Sequence, residues 1–220
     1  MIYKTAELLD LTKTKAAPLL SGTQYPWEAL DKLKGFILEL GATLSEEEYN
    51  HPKPDVWIAK DAEVFGSAYI KGPCIIGHKT EVRQCAFIRG SALVGDGCVV
   101  GNSTELKNVI LFDGVQVPHF NYVGDSVLGY KAHMGAGAIT SNVKSNKTDV
   151  AIKDCGECLA TGRHKLGAIL GDFVEVGCNS VLNPGTVIGR NTNIYPLSSV
   201  RGVIPADCIF KTGGVVVKKY

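Results

Sequence analysis

The chain has 220 residues, a net charge of +1 and seven cysteines. That length allows one domain with a sizeable core and an appendage, and the near-zero charge gives no reason to expect a nucleic-acid or membrane partner. No apolar run approaches the roughly 18 residues of a membrane span, and the N-terminus MIYKTAELLD lacks an apolar signal core. We therefore expect a cytoplasmic protein, which the odd number of cysteines in a long chain also favours.

Residues 1–50 differ from the rest and are predicted to form a helical arm or cap. The segment TAELLDLTK can form a short helix. The segment YPWEALDKLKGFILELG is typical of a longer helix, with Pro26 in its first turn and Gly41 just past its end. One face of this helix is apolar and consists of Trp27, Leu30, Leu33, Ile37 and Leu40. The stretch EEEYNHPKPD is then predicted to be a polar link into the next domain.

An aliphatic residue recurs at every sixth position from Ile58 to Leu106, and the residue two positions before each is small or β-branched. An apolar helical face recurs at three and four residues, so a helix does not explain this period. Short strands joined by tight corners do explain it, because stacked copies would bury one continuous column. The sequence therefore predicts the hexapeptide repeat of an all-β, parallel β-helix domain over residues 51–210, followed by a C-terminal tail, 211–220.

The period fails in two places. Leu128 and Met134 sit two residues out of register with Phe112, so residues 113–123 are predicted to bend or loop. A long irregular stretch within residues 140–172 separates this block from the last one, which runs from Val176 to Val200. Long loops in a compact solenoid are more often functional than idle. We expect the chemistry at these two breaks.

Three cations directly follow aliphatic positions and are 18 residues apart, namely Lys71, Arg89 and Lys107. With three hexads in each turn they would stack in successive coils about 4.8 Å apart. Neighbouring unit charges at that distance repel by about 1 kcal/mol even in water, which favours a bound anion such as a phosphate. The alternative is that these long side chains extend into solvent or pair with nearby acids such as Glu105.

Two further groups could carry chemistry. His119 lies in the slipped segment VPHFNYVGD, beside Asn121 and Tyr122, and a histidine with the ordinary pKa of about 6.5 suits a general base. The segment CGEC, with Cys155, Cys158 and His164 behind it, resembles part of a zinc site. No second CxxC completes four ligands, so we assign no metal.

Several stretches resemble the C-terminal acetyltransferase domain of bifunctional glucosamine-1-phosphate acetyltransferase / N-acetylglucosamine-1-phosphate uridylyltransferase. They are FIRGSALVG, VGNSTELKN, HFNYVGDSVLG, MGAGAITSN and GAILGDFVEVGCNSVLNPGTVIG. The H-x-x-Y-x-G-D segment with G-A-G-x-I-T-x-N after it is fairly specific, whereas hexads alone specify only a fold. The resemblance implies a left-handed parallel β-helix, a homotrimer with active sites between subunits, and a place in the biosynthesis of UDP-N-acetylglucosamine for the cell wall.

The resemblance also implies roles for individual residues. His119 matches the base that takes a proton from the sugar amine as that nitrogen attacks acetyl-CoA. The residues that match contacts to the sugar phosphate are Arg89, Lys107, Tyr122, Asn142 and Lys147.

Acetyl-CoA is the cofactor-like substrate that the resemblance implies. Cys178 and Pro196 match positions beside it, which are Ser and a small residue in the family. His133 stands where the acetyltransferase pattern has Asn. Backbone amides near Gly135 to Gly137 could stabilise the thioester oxyanion.

The main hypothesis is an acetyl-CoA-dependent N-acetyltransferase that acts on an amino-sugar phosphate similar to glucosamine 1-phosphate. Residues 1–54 are too short for a nucleotide-binding half, so we expect no nucleotidyltransferase activity from this chain. One alternative is a non-catalytic module that binds the sugar phosphate while the arm docks a separate nucleotidyltransferase. Another is an acyltransferase for a different acceptor. The insert with Arg163, His164 and Lys165 could reshape specificity.

Overall fold

Each hexad folds as a short strand followed by a corner, and three hexads complete one coil. Val56 accordingly pairs with Cys74, and Cys74 pairs with Ala92, in parallel register. The computed structural model describes residues 2–154 and 156–219 and shows a parallel β-helix of about nine turns. The aliphatic positions from Ile70 to Leu106 are buried inside it. The predicted fold is confirmed.

The coils have three faces. Strands of the first face are Val56–Ala59, Cys74–Ile76, Ala92–Val94, the ends of Glu105–Leu111 and Tyr122–Leu128, Ala168–Leu170, Thr186–Ile188 and Val203–Ile204. Strands of the second face are Glu63–Val64, Glu81–Val82, Val99–Asn102, Gln116–His119, His133–Met134, Glu175–Val176, Asn193–Ile194 and Cys208–Phe210. Strands of the third face are Tyr69–Ile70, Phe87–Ile88, the starts of Glu105–Leu111 and Tyr122–Leu128, Ile139–Thr140, Val181–Leu182 and Ser199–Val200.

Antiparallel strands flank the solenoid at both ends. Tyr49–Lys53 pairs with the first strand of the first face, so the predicted polar link is an edge strand. Val216–Lys218 folds back on Cys208–Phe210. The division into domains at residues 50 and 210 stays a prediction. Within the described residues, no helix has the length and apolar character needed to cross a membrane.

The N-terminal extension contains α-helices Thr5–Leu8, Ala17–Leu20 and Leu33–Gly41 and 3₁₀ helices Leu11–Lys13 and Pro26–Asp31. The single longer helix predicted from Pro26 was wrong, because a 3₁₀ segment precedes the α-helix and Gly41 is its last residue. A Cβ atom on Gly41 would lie 2.5 Å from the Trp57 ring, so close packing requires glycine there. Four of the five residues of the predicted apolar face, Trp27, Leu30, Leu33 and Ile37, are buried, and the fifth, Leu40, is partly buried against the core.

The arm lies along the first face because the outward positions of that face are apolar. In successive coils these positions are Ile75, Leu93, Ile110, Val127, Ile169 and Val187. All six are fully buried, whereas an uncovered face would leave them in contact with water. The helix Leu33–Gly41 packs against two strands of this face. The extension is therefore a packing arm along the side of the solenoid.

The arm also runs the length of the solenoid. Its contacts, from the last coil to the first, are Tyr3 with Ala206, Asp10 with Asp172, Lys13 with Asp113, Lys15 with Asp96, and Gly41 with Trp57. The N-terminus thus starts beside the C-terminal coil, and the chain then enters the first coil at the opposite end.

Asp172 connects the arm to the solenoid through a hydrogen bond from Asp10. This fully buried carboxylate accepts hydrogen bonds from the amides of Asp10 and Tyr130 at 2.9 Å and pairs with Arg190. We expect Asp172→Ala to lower the free energy of unfolding by about 3 kcal/mol, because it leaves two amides and a cation without their partner. Urea titration would measure this loss. The exposed Glu39→Ala, in the helix Leu33–Gly41, should change stability by less than about 0.5 kcal/mol, and an equal loss in both variants would contradict this role.

The first break in the period is a shortened corner. Phe87 pairs with Glu105 across 18 positions, but Ala92 pairs with Val109 across only 17. The corner that contains Asn108 is therefore one residue shorter than the corresponding corner of the preceding coil. Asn108 has a positive φ of 54°. The prediction that residues 113–123 bend or loop was wrong, because they include the regular strand Gln116–His119.

The second break is a β-hairpin. Strand Val150–Asp154 pairs antiparallel with Glu157–Arg163, so the predicted irregular stretch is largely ordered. Val150 and Ile152 are buried, and a Cβ on Gly185 would lie 2.7 Å from Val150. The hairpin therefore packs against the solenoid.

Candidate active site

A polar cluster occupies the corner between the third and first faces, with Asp125 at its centre. The Asp125 side chain is only 4 % exposed. One of its oxygens accepts hydrogen bonds from Lys107 Nζ at 2.9 Å and Asn142 Nδ2 at 2.6 Å, and the other accepts from Asn108 Nδ2 at 2.9 Å. Asn142 Nδ2 also donates to the Tyr122 hydroxyl at 3.1 Å. The structure thus brings together three of the predicted substrate contacts, Lys107, Tyr122 and Asn142. We call this group the Asp125 cluster.

The shortened corner explains how the cluster forms. Asn108 and Asp125 occupy this corner in successive coils, with φ values of 54° and 48°. Asn and Asp adopt this left-handed conformation more readily than other non-glycine residues. Their short side chains then reach each other across the coils.

The Tyr122 phenol remains protonated at neutral pH. Burial raises its pKa above the usual 10.0, and the nearby carboxylates of Asp125 and Glu105 raise it further. The hydroxyl is therefore able to donate a hydrogen bond to a sugar or phosphate oxygen.

The predicted stack of cations Lys71, Arg89 and Lys107, which we call the cation column, is present. Carboxylates partly neutralise it. Ile70, Ile88 and Leu106 pair in register, so the cations that follow them stack in successive coils. Arg89 Nη1 donates to Glu105 Oε1 at 2.8 Å, and this hydrogen bond is the main cause that raises the pKa of Arg89. Lys107 pairs with Asp125. Both readings of the sequence thus apply, because the cations stack and also have acidic partners. A guanidinium keeps further donors for an anion.

His119 ends its strand on the second face, and its side chain is exposed. Its backbone amide donates to Asn121 Oδ1 at 3.1 Å. The buried Asn121 also donates to the carbonyls of Gly135 and Ala138, which fixes the corner that follows His119. Within the described residues, the imidazole itself has no hydrogen-bond partner, and Tyr122 lies just across the corner. The His119 imidazole is therefore open to a hydrogen bond with a bound molecule.

The predicted cofactor positions stack in one column with His119. The strands pair as Gln116 with His133, His133 with Glu175, and Glu175 with Asn193. These offsets of 17, 42 and 18 place His119, Ala136, Cys178 and Pro196 at equivalent positions of successive coils. The Cys178 thiol is exposed, and so is Pro196.

The two glycines have a packing role in this column. A Cβ on Gly135 would lie 2.8 Å from the Cys178 amide nitrogen. The amide of Gly135 donates to the carbonyl of Val176 at 2.7 Å, and that of Gly137 donates to the carbonyl of His119 at 3.0 Å. Of the predicted amides from Gly135 to Gly137, those of Gly135 and Gly137 are therefore already used between coils. The Ala136 amide makes no such bond within the described chain.

Other predicted residues lie apart from the cluster. Lys147 is exposed in a turn with φ 59°, and no contact joins it to Lys107 or Asn142 in the part of the chain that is described. His133 Nδ1 pairs with Glu175 at 2.7 Å on the second face.

The insert residues have roles outside the cluster. Arg163 is largely buried and pairs with Asp31 of the arm, so it fastens the hairpin. His164 faces Asp149 at 3.6 Å, and Lys165 is exposed.

The zinc hypothesis stays untested, because Cys155 lies outside the described residues. Cys158 is exposed and is not in a disulfide. Among the residues that are described, no group of three or more His, Cys, Asp or Glu side chains could hold a metal ion.

Sequence reasoning missed the central role of Asp125. The available signal was the aspartate of the YVGD segment, 18 residues after Lys107. It was not recognised because the hexad pattern does not show that a corner is shortened.

The fold and the cluster place the chain in the class of hexapeptide-repeat β-helix proteins. A family model described as the GMPPB C-terminal domain matches residues 70–160. The chain is 33% identical over 174 residues to the bifunctional sugar-1-phosphate nucleotidylyltransferase/acetyltransferase of Sulfurisphaera tokodaii, which covers 78% of this chain and 43% of that relative. It is 37% identical over 134 residues to the bifunctional protein GlmU of Caldanaerobacter subterraneus, which covers 61% of this chain and 26% of that relative. The resemblance read from the motifs is confirmed, and the chain spans less than half the length of these relatives.

Solved structures include similar folds at low sequence identity. The acetyltransferase domain of PglB from Neisseria gonorrhoeae, in complex with acetyl coenzyme A, matches with a TM-score of 0.40 and 18% identity. That match covers 76% of this chain and 58% of the other. Perosamine N-acetyltransferase from Caulobacter crescentus matches with a TM-score of 0.28 and 16% identity over 74% of this chain and 56% of the other.

Proposed function

We propose that the chain is an acetyl-CoA-dependent N-acetyltransferase that acts on an amino-sugar phosphate of the glucosamine 1-phosphate kind. The observation that carries the proposal is the arrangement around one coil. His119 is exposed, its imidazole has no hydrogen-bond partner among the described residues, and it lies across a corner from Tyr122. Tyr122 in turn contacts Asn142 of the Asp125 cluster, and the Arg89 charge acts on Tyr122. A base, hydroxyl-binding groups and cations are therefore close together in a chain whose relatives are named as acetyltransferases.

The proposed reaction uses these groups in order. Arg89 and Lys107 bind the phosphate, while Tyr122 and Asn142 contact the sugar. The neutral His119 imidazole accepts a proton from the amine as its nitrogen bonds to the thioester carbonyl carbon. The tetrahedral intermediate then expels the coenzyme A thiolate, which takes the proton from the imidazolium. The Ala136 amide, one coil from His119, is the candidate donor to the oxyanion.

We further propose that the protein is a homotrimer with this site between subunits. Size-exclusion chromatography with light scattering would measure the assembly, and a monomeric protein with full activity would contradict the proposal.

Thiol release from acetyl-CoA with a panel of acceptors tests the function. We expect turnover with glucosamine 1-phosphate, and N-acetylation confirmed by mass spectrometry. Reaction only with acceptors that lack phosphate would show a different acyltransferase, and no turnover with any acceptor would favour a binding module. Pyrophosphate release with a nucleoside triphosphate should be absent.

Arg89 should determine the preference for a phosphorylated acceptor. We expect Arg89→Ala to raise the KM for glucosamine 1-phosphate by about 10- to 100-fold, the worth of a charge-assisted hydrogen bond, with little change in the KM for acetyl-CoA. Arg83 forms a similar surface pair with Glu81 on the second face, so Arg83→Ala is the matched control. An unchanged KM in the Arg89 variant would remove this residue from the site.

A further inference from the structure

A polar cavity lies next to the Asp125 cluster, since Ser141 lines the cavity and the following residue, Asn142, belongs to the cluster. Its volume is about 350 Å³, within the usual size range of ligand sites. Residues that line it include Ser141, Lys144, Asn146, Asn183 and Arg201. Within the described chain, none of the lining residues carries a carboxylate. The cavity therefore has two cations and neutral hydrogen-bonding groups.

This cavity continues the cation column. Thr140 pairs with Leu182, and Leu182 pairs with Val200, so Ser141, Asn183 and Arg201 stack in successive coils. They occupy the same position after the inward residue as Arg89 and Lys107. With about 4.8 Å for each coil, Arg201 lies about 19 Å from Lys107 along the axis. The cavity is thus a separate site on the same edge of the solenoid.

Both cations are held in place by neutral groups. Arg201 Nη2 donates to Asn183 Oδ1 at 3.0 Å. Lys144 Nζ donates to Thr148 Oγ1 at 2.6 Å and to the Asp149 carbonyl at 3.0 Å. In the described parts of the chain neither cation has a carboxylate partner, in contrast to Arg89 and Lys107. Two oriented and uncompensated cations in one cavity favour a bound dianion.

We propose that this cavity is a second phosphate-binding subsite, which takes the phosphate-bearing nucleotide end of a reaction partner. Arg201 and Lys144 bind the phosphate. Ser141 and Asn146 hydrogen-bond the ribose hydroxyls. Asn146 does so through its side-chain Nδ2, because its Oδ1 already accepts from Thr148. Two molecules could supply such an end, an acyl donor with the nucleotide of coenzyme A or an acceptor sugar activated by a nucleoside diphosphate. The choice of these two molecules rests on the proposed function, whereas the phosphate-binding subsite itself does not.

Direct binding tests the subsite without turnover, so its failure is distinct from a failure of acetyl transfer. The probes are adenosine 3′,5′-bisphosphate for the donor end and uridine diphosphate for the acceptor end, measured by titration calorimetry. The test variant is Lys144→Gln with Arg201→Gln. The matched control is Lys60→Gln with Lys211→Gln, which removes two exposed cations elsewhere on the surface. Thermal unfolding shows whether each variant is folded.

We expect the wild-type chain to bind one of the two nucleotides, and the test variant to bind it at least about tenfold more weakly. The control should bind as the wild type does. Weakening for the bisphosphate alone assigns the subsite to the donor, and weakening for uridine diphosphate alone assigns it to the acceptor. Wild-type affinity of the test variant for both nucleotides, or binding of neither by the wild type, would overturn the proposal.

Discussion

His119→Ala is expected to lower kcat for acetyl transfer by a factor of about 10² to 10⁴, the usual contribution of a general base. The exposed imidazole makes no hydrogen bond within the described residues, so its loss should leave the coils intact. The KM for the amino-sugar phosphate should change little, because the proposed phosphate contacts are Arg89 and Lys107. Steady-state kinetics of thiol release would measure both constants.

A second exposed histidine provides the control. His51 stacks on Trp57 at the first coil, far from the cluster in sequence and in the solenoid, so His51→Ala should keep wild-type kcat. Wild-type kcat in the His119 variant would remove the residue from the mechanism. Loss of folded protein in that variant, seen by circular dichroism, would show instead a structural role.

Asp125→Ala is expected to lower the free energy of unfolding by about 3 kcal/mol, because it removes the buried partner of a cation. It should also raise the KM for the sugar phosphate at least about tenfold, since Lys107 and Asn142 lose the group that orients them. Urea titration and steady-state kinetics would measure the two effects.

Asp125→Asn separates the two effects. It keeps one acceptor oxygen, so we expect a smaller loss of stability but a similar rise in KM, because the charge that holds Lys107 is gone. Glu63→Ala removes an exposed acid from the second face and should change neither quantity. Equal KM values for the wild type and both Asp125 variants would show that the cluster does not bind the acceptor.

The repeat was readable from the sequence because the aliphatic residues from Ile58 to Leu106 obey one six-residue period. The same period predicted the cation column at Lys71, Arg89 and Lys107. Pairing with Glu105 was one of the two alternatives, and the period could not choose between them. It gave no sign of Asp125, because that residue comes from a position that the hexad leaves open. The residue roles implied by the resemblance stay predictions, and the structure brings Lys107, Tyr122 and Asn142 together while Lys147 stays apart.

Two features depended on tertiary packing and could not be read from local patterns. Apolar and polar residues alternate only weakly along the hairpin at 150–163. Its antiparallel pairing is supported by packing of Val150 against the corner at Gly185. The docking of the arm was signalled by outward apolar residues such as Ile75 and Leu93. In a hexad they looked like ordinary strand residues, because only the full three-face arrangement shows which positions point outward.

The arm changes how the solenoid should unfold. In a stack of repeats each coil contacts only its neighbours, so unfolding can begin at an end and spread coil by coil. Here one continuous segment connects Ala206 in the last coil to Trp57 in the first. Fraying at either end therefore also costs the packing of the arm. We therefore expect the solenoid, although it is a one-dimensional array of coils, to unfold in a single cooperative transition.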